Sequence, residues 1–249
     1  MPNPILPFCR LLRTGAWALA LAFALQPTAM AADWGINPDT PKSTFEDFHK
    51  DFAAAVYPYA EHGAKPLGLV GFEVYVDASY NHGFGDDVGP GLPIYGSLPG
   101  GILSLARVGV RKGLPLGFDV EATYGRAVGS DLNIVSGTVQ WALLEGGVAT
   151  PALAFRLTGS KSTGVSYYSL RQLGAEAILS KGFAMLTPYV GAGMVRSESR
   201  FRFVSGRDVT STEPILFGGV TISALIPKIN IEVQKGRGFQ ATVKVGFGL

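Results

Sequence analysis

Two kinds of residue in this 249-residue chain could do chemistry: three histidines, and charged side chains that recur at every second position of otherwise apolar segments. His82 lies in NHGFGDDVG (81–89), close to Asp86 and Asp87, while His49 and His62 stand upstream. A hydrolytic site needs a base within hydrogen-bond reach of a nucleophile. The segment around His82 is the one place where an imidazole neighbours carboxylates in a glycine-rich loop, and no second such pair follows. The reading is therefore against an enzyme, with a hydrolase at an outer rim as the alternative. Asn81, Asp86 and Asp87 offer too few oxygens at defined spacing for a calcium site. GPGLPIYGSLPGG (89–101) is turn chemistry, not a phosphate loop. No cofactor and no metal are expected.

The alternating charges say more. Glu73 and Asp77 share one face of GFEVYVDASY (71–80), Arg107 and Arg111 one face of LARVGVRK (105–112), and Asp119 and Glu121 one face of LGFDVEATYG (116–125). Acid, base and acid on successive segments predict cross-strand ion pairs. Arg156 and Glu176 fall on the next such neighbours, and Lys244 is expected to face Glu73 and Asp77 across a closure, with Glu232 on its other side. These ten residues form a candidate lumen network. Mixed signs favour a network that fills and fixes a narrow interior, because a selective pore carries rings of one sign.

The elements that must position these groups are strands. Segments of about ten residues with period-two alternation, separated by turns, are the signature of a membrane-spanning barrel. Ten such segments run from 71–80 to Phe239–Leu249, including SGTVQWALL (136–144), ALAFRLTG (152–159), RQLGAEAILS (171–180), MLTPYVGAGMV (185–195), ILFGGVTISALI (215–226) and INIEVQK (229–235). An even number suits closure with both ends on one side. Connections after the even segments are short (KGLP, EGGVATP, SKG, IPK), and the long ones (81–100, 160–168, 196–213) all follow odd segments. Short periplasmic turns and longer outer loops are the barrel rule. Phe118, Trp141, Phe183 and Phe247 near one set of ends, with Tyr80, Tyr124 and Phe239 near the other, fit aromatic girdles. Ten strands enclose little space, which argues against a wide porin.

The amino end reads as a secretory leader. Arg10 and Arg13 precede the apolar run Ala16–Leu25, and Ala29-Met30-Ala31 is a small-x-small cleavage site. The run is too short to span a bilayer as a helix. Without Arg10 and Arg13 the formal charge of +2 falls to zero, so nothing points to nucleic acid. The one cysteine, Cys9, belongs to the leader. Mean hydropathy is +0.25, high for an exported chain with no long apolar run. Residues 32–65 carry STFEDFHKDFAAAVY, an amphipathic helix expected over about 43–57. Phe45, Phe48, Phe52 and Val56 form its packing stripe, and Ser43 and Glu46 form a capping box. It is expected to serve as a plug in the lumen or a lid at the periplasmic mouth.

With these features the chain resembles a bacterial outer-membrane β-barrel protein over 67–249. VKVGFGL, with Val243, Val245, Phe247 and Leu249 alternating, resembles the carboxy-terminal strand signal read by the barrel-assembly machinery, although members most often end on an aromatic residue. AKPLGLVGFEV is similar to uncharacterised proteobacterial barrels and implies no activity. The resemblance implies an all-β, transmembrane, antiparallel up-and-down barrel of about 10 strands over 66–249, in the outer membrane of a Gram-negative cell. Its expected partners are outer-membrane lipid, lipopolysaccharide and the assembly machinery, and the expected form is a monomer. Arg196, Arg200, Arg202 and Arg207 in one hairpin could meet lipopolysaccharide phosphates, although Glu198, Asp208 and Glu213 balance them. The expected role is structural, or a narrow or plugged channel for small solutes. A soluble exported β-sandwich is the other alternative.

Overall fold

The computed structural model describes residues 41–82, 103–128, 130–147, 149–165, 168–202, 208–223 and 227–248. One helix, α1 (Lys42–Val56), precedes ten strands: β1 (Phe72–His82), β2 (Leu103–Gly113), β3 (Phe118–Ala127), β4 (Asn133–Glu145), β5 (Ala152–Thr163), β6 (Tyr168–Ser180), β7 (Leu186–Phe201), β8 (Val209–Ser223), β9 (Lys228–Lys235) and β10 (Phe239–Gly248). Each strand pairs antiparallel with its sequence neighbours, and β10 pairs with β1, so the sheet is a closed up-and-down barrel. All ten described strands belong to this one sheet, which overturns the sandwich alternative: no second sheet covers the first.

Period-two alternation decides what each side chain meets. Val74, Val108, Val139, Leu157, Leu173, Val190 and Val243 point outward and are between about a third and two thirds exposed. Glu73, Asp77, Arg107, Thr138, Arg156, Glu176 and Lys244 point inward and are buried. The apolar residues thus form a continuous outer belt far larger than the few hundred Å² of apolar patch tolerated on a water-soluble monomer. Phe118 stacks on Trp141 at one end of this belt, with ring centroids 6.0 Å apart. Phe183 and Phe247 are exposed near the same end, and Tyr80, Tyr124 and Phe239 near the other.

The two ends of the barrel differ. Connections after β1, β3, β5, β7 and β9 gather at what we call the loop mouth, and those after β2, β4, β6 and β8 at the turn mouth. The helix lies inside the loop-mouth half. Phe45, Phe48 and Phe52 are fully buried against Leu103, Leu105, Ile134, Leu170 and Val209 of the inner wall. Phe45 meets Phe201 edge-on at 4.8 Å, and Phe52 meets Tyr168 at 5.3 Å. The helix stops because Tyr57 precedes Pro58, whose ring disfavours helical backbone at the residue before it; Tyr57 is extended, at φ −66° and ψ 131°. Tyr59 lies beyond the helix and joins a second cluster with Tyr57, Ile178, Val195, Ile215 and Phe217.

The start of the helix departs from expectation. Pro41 occupies the cap position, no side chain caps the helix, and the Thr44 amide donates to the Pro41 carbonyl at 3.1 Å. Ser43 lies inside the first turn, so the capping box does not form. Glu46 pairs instead with Lys42 at 3.7 Å on the exposed face.

Glycines fix how tightly the wall packs. Tyr75 lies opposite Gly109, Phe217 opposite Gly191, and Tyr189 opposite Gly219. In each pair the ring lies across the glycine, where a Cβ would sit about 2.2 to 2.5 Å from a ring or hydroxyl atom. The wall thus stores its bulky rings in the spaces its glycines leave. Gly191→Ala forces the Phe217 ring aside and is expected to cost about 1–3 kcal/mol. Adding Phe217→Leu should recover part of that loss, measured as coupling between the two substitutions in equilibrium unfolding.

Candidate functional site

The lumen is the candidate site, and its character changes along the axis. The loop-mouth half is apolar and aromatic, closed by α1. Below it lies a charged belt, and below that an open vestibule of about 460 Å³ at the turn mouth.

The belt is built from strand residues held in register. Asp77 and Arg107 are direct partners across β1 and β2, and Arg107 Nε donates to Asp77 Oδ1 at 2.7 Å. Arg111 donates to Asp119 and also stands opposite both Glu73 and Glu121. Arg156 lies 3.1 Å from Glu176 on β6 and 3.8 Å from Glu121, two strands away on β3. Lys244 is opposite Asp77 but pairs diagonally with Glu73 at 3.6 Å, with its ammonium 3.8 Å from the centre of the Tyr75 ring. The long cationic stems let each group choose among several carboxylates instead of the one directly opposite.

One expected contact does not form. Glu232 faces Thr242, while Lys244 faces Asn230. Glu232 is fully buried, and its oxygens accept from the Tyr189 hydroxyl at 2.6 Å, the Gln234 amide, and the backbone amide of Glu61 at 2.9 Å. Lys244 reaches the other way because the Tyr75 ring and the Glu73 carboxylate offer it a cation–π face and an ion pair together.

The residues that sequence reasoning missed come from the segment between α1 and β1. Tyr57 donates to Glu176, Glu61 pairs with Arg107, and His62 stands between the Gly63 carbonyl, 2.9 Å from Nδ1, and Glu121, 3.5 Å from Nε2. Ala64 donates to Ser180 Oγ at 2.9 Å, and Leu67 to Asp119 Oδ1 at 3.1 Å. The signal for them was YPYAEHG itself: two tyrosines, an acid and an imidazole in a segment with no other reason to be polar. Glu61 also adopts φ +51°, a left-handed conformation that costs a non-glycine residue about 1 kcal/mol or more and is held by its two contacts. His49 Nε2 lies 3.2 Å from Ser211 Oγ on the inner wall.

The other singled-out residues fall as follows. Phe45, Phe48, Phe52 and Val56 all face the inner wall. Val243 and Phe247 point outward, Val245 is half-buried, and Leu249 lies outside the described residues. Asp86, Asp87, Arg207 and most of the first loop lie outside them as well. Arg196 pairs with Glu198 at 3.2 Å on the exposed surface. Among the described residues, no cluster of side chains is arranged to hold a metal ion.

No protein-family model matches the sequence, and no curated protein matches it. Among solved structures the chain is similar to LpxR from Salmonella typhimurium, at 10% identity over 71% of this chain and 99% of that one, with a TM-score of 0.40. It is similar to a KdgM porin at 10% identity, covering 70% and 98%, with a TM-score of 0.37. The N-terminal β-barrel domain of Pseudomonas aeruginosa OprF matches at 15%, covering 73% and 99%, with a TM-score of 0.32. At these values the fold assignment rests on the chain's own closed strand order.

Arg107 pairs with a carboxylate of the wall, Asp77, and with one of the inserted segment, Glu61. Arg107→Met should leave Asp77 and Glu61 buried without it and cost about 3–5 kcal/mol. Arg107→Lys should fall between Met and wild type, because a single ammonium cannot span two carboxylates as the guanidinium fork does. Equilibrium unfolding in detergent micelles measures both.

Proposed function

We propose that this chain is an integral outer-membrane β-barrel whose lumen is plugged by its own segment 42–71, serving as a structural envelope protein or as a closed channel for small solutes. The observation that carries the reading is the inversion of sides. A closed sheet presents its apolar residues outward and buries its charges. Such a sheet is stable with acyl chains outside, where every backbone group is paired within the ladder. The carboxy-terminal strand, with Val243 and Phe247 on the outer face, supports delivery by the barrel-assembly machinery. The difference between mouths supports short turns in the periplasm and loops outside, and the leader at 1–31 supports export. The protein acts as a monomer, with lipid and lipopolysaccharide around the belt.

The plug is supported by the density of contact in the loop-mouth half and the charged belt, above the open vestibule. Fully buried phenylalanines fill the loop-mouth half, and paired charges fill the belt. Conductance is what remains to be lost or gained. In planar bilayers the intact protein should pass no steady current, and a form lacking residues 32–65 should conduct. Steady current through the intact protein would overturn the plug. On the outside, Leu157→Arg places a charge in the middle of β5 on the apolar face. It should lower stability in lipid vesicles by about 2–4 kcal/mol. An unchanged unfolding midpoint in vesicles would overturn the lipid-facing assignment.

A further inference from the structure

The direction in which the inserted segment runs has a topological consequence. Its contacts, in chain order, descend the barrel from one mouth to the other. Phe45 packs on Phe201, the last residue of β7, and Asp47 and Asp51 pair with Arg237 of the β9–β10 connection at 3.5 and 2.6 Å. Both contacts belong to the loop mouth. Tyr57 and Glu61 then reach Glu176 and Arg107 in the belt. Ala64 meets Ser180, the last residue of β6, and the Gly71 carbonyl accepts from Gly113, the last residue of β2. Both of these lie at the turn mouth, where β1 begins. Lys42 is three residues beyond Phe45, hence about 4–5 Å further out along the helix axis, and its side chain is 60% exposed. The chain passes once through its own barrel, entering at the loop mouth and leaving at the turn mouth.

We propose that this barrel presents the start of α1 at the cell surface: Lys42 stands at the extracellular mouth. This rests on the outer-membrane reading with short turns in the periplasm. It goes beyond that reading, because a plug entering from the periplasm would close the lumen equally well. The consequence is a helix start held at the outer face: three buried phenylalanines and the Arg237 pairs fix α1 in the wall, while β10 ends at the opposite face.

Three single-cysteine variants of the full chain test this, each with Cys9 replaced by serine. Lys42→Cys reports the helix start, Asp131→Cys an exposed loop-mouth position, and Thr150→Cys an exposed turn-mouth position. Among the described residues Lys42 pairs with Glu46 on the exposed face, and loss of that pair should cost less than about 1 kcal/mol. Heat-modified migration on gels confirms that each variant is folded. Intact cells are treated with a membrane-impermeant maleimide, with and without permeabilisation of the outer membrane. Lys42→Cys and Asp131→Cys should label equally in both conditions, and Thr150→Cys severalfold more after permeabilisation. Labelling of Asp131→Cys but not Lys42→Cys on intact cells overturns the surface entry and leaves the barrel reading standing. Labelling of Thr150→Cys but not Asp131→Cys on intact cells reverses the orientation and overturns both.

Discussion

The pairing of β1 with β10 removes the last sheet edge, and with it the last place where a side chain could be half inside and half outside. Val76 opposite Val245 and Asp77 opposite Lys244 set the register of that closure. A slip of one residue at any strand pair would exchange its two faces. For β1 it would send Glu73 and Asp77 out among apolar side chains and bring Val74 and Val76 in. Each charge so displaced would lose its partner in an apolar surround, a cost of several kcal/mol. The alternation that makes the outer belt apolar is therefore enforced from within, by the ion pairs that only the correct register can form.

Closure at ten strands creates a problem of volume. Eight strands leave an interior that side chains fill, and sixteen leave an open channel. Here the wall's own side chains are long, with arginines reaching across strands to two carboxylates, yet they do not fill the axis. Residues 42–71 fill most of it. The wall adapts to this guest unevenly. Where α1 lies, the inward positions include Leu103, Leu105, Ile134, Leu170 and Val209, with Gln172 and Ser211 hydrogen-bonded to the helix. Where the extended segment lies, they are partly charged or hydroxylated and partly apolar, with Ile178, Val195, Ile215 and Phe217 beside Tyr57 and Tyr59. Gly174 yields to Tyr57, whose hydroxyl would lie 1.8 Å from a Cβ at that position. The guest thus occupies the same kind of space that Gly109 and Gly191 offer to rings of the wall itself.

The strands were legible in the sequence because a period of two is a local property that survives without knowledge of partners. Val139, Trp141 and Leu143 against Ser136, Thr138 and Gln140 announce both the strand and its faces. The pairs Asp77–Arg107 and Arg156–Glu176 were legible for the same reason, since neighbours in a meander are neighbours in sequence. The inward apolar residues Ile178, Val195, Ile215 and Phe217 were not. A strand whose inner face turns from polar to apolar along its length loses the contrast on which the pattern depends, and only the presence of Tyr57 and Tyr59 explains the change. The docking of Glu61 on Arg107 spans 46 residues and depends on a backbone of positive φ that no glycine signalled. The capping box failed because Pro41 starts the helix with its own fixed φ, two residues before Ser43.

The two halves of the inserted segment are held by different physics. The three phenylalanines of α1 are held by burial, which neither salt nor modest pH change weakens much. The extended half is held by hydrogen bonds and ion pairs inside a low-dielectric wall, where each group removed leaves another exposed to an uncompensated field. Glu61 concentrates this. Its backbone amide satisfies Glu232, its carboxylate shares Arg107 with Asp77, and Glu61, Glu73, Asp77, Asp119, Glu121, Glu176 and Glu232 together outnumber Arg107, Arg111, Arg156 and Lys244 in the belt. Withdrawing Glu61 would relieve the acid excess but strip Glu232 of its backbone donor. Withdrawing α1 would empty an aromatic cavity that no wall residue can fill. Neither half can leave alone without exposing what the other half covers, so opening this lumen requires the whole passage from Lys42 to Gly71 to move as one piece rather than a single residue to swing aside.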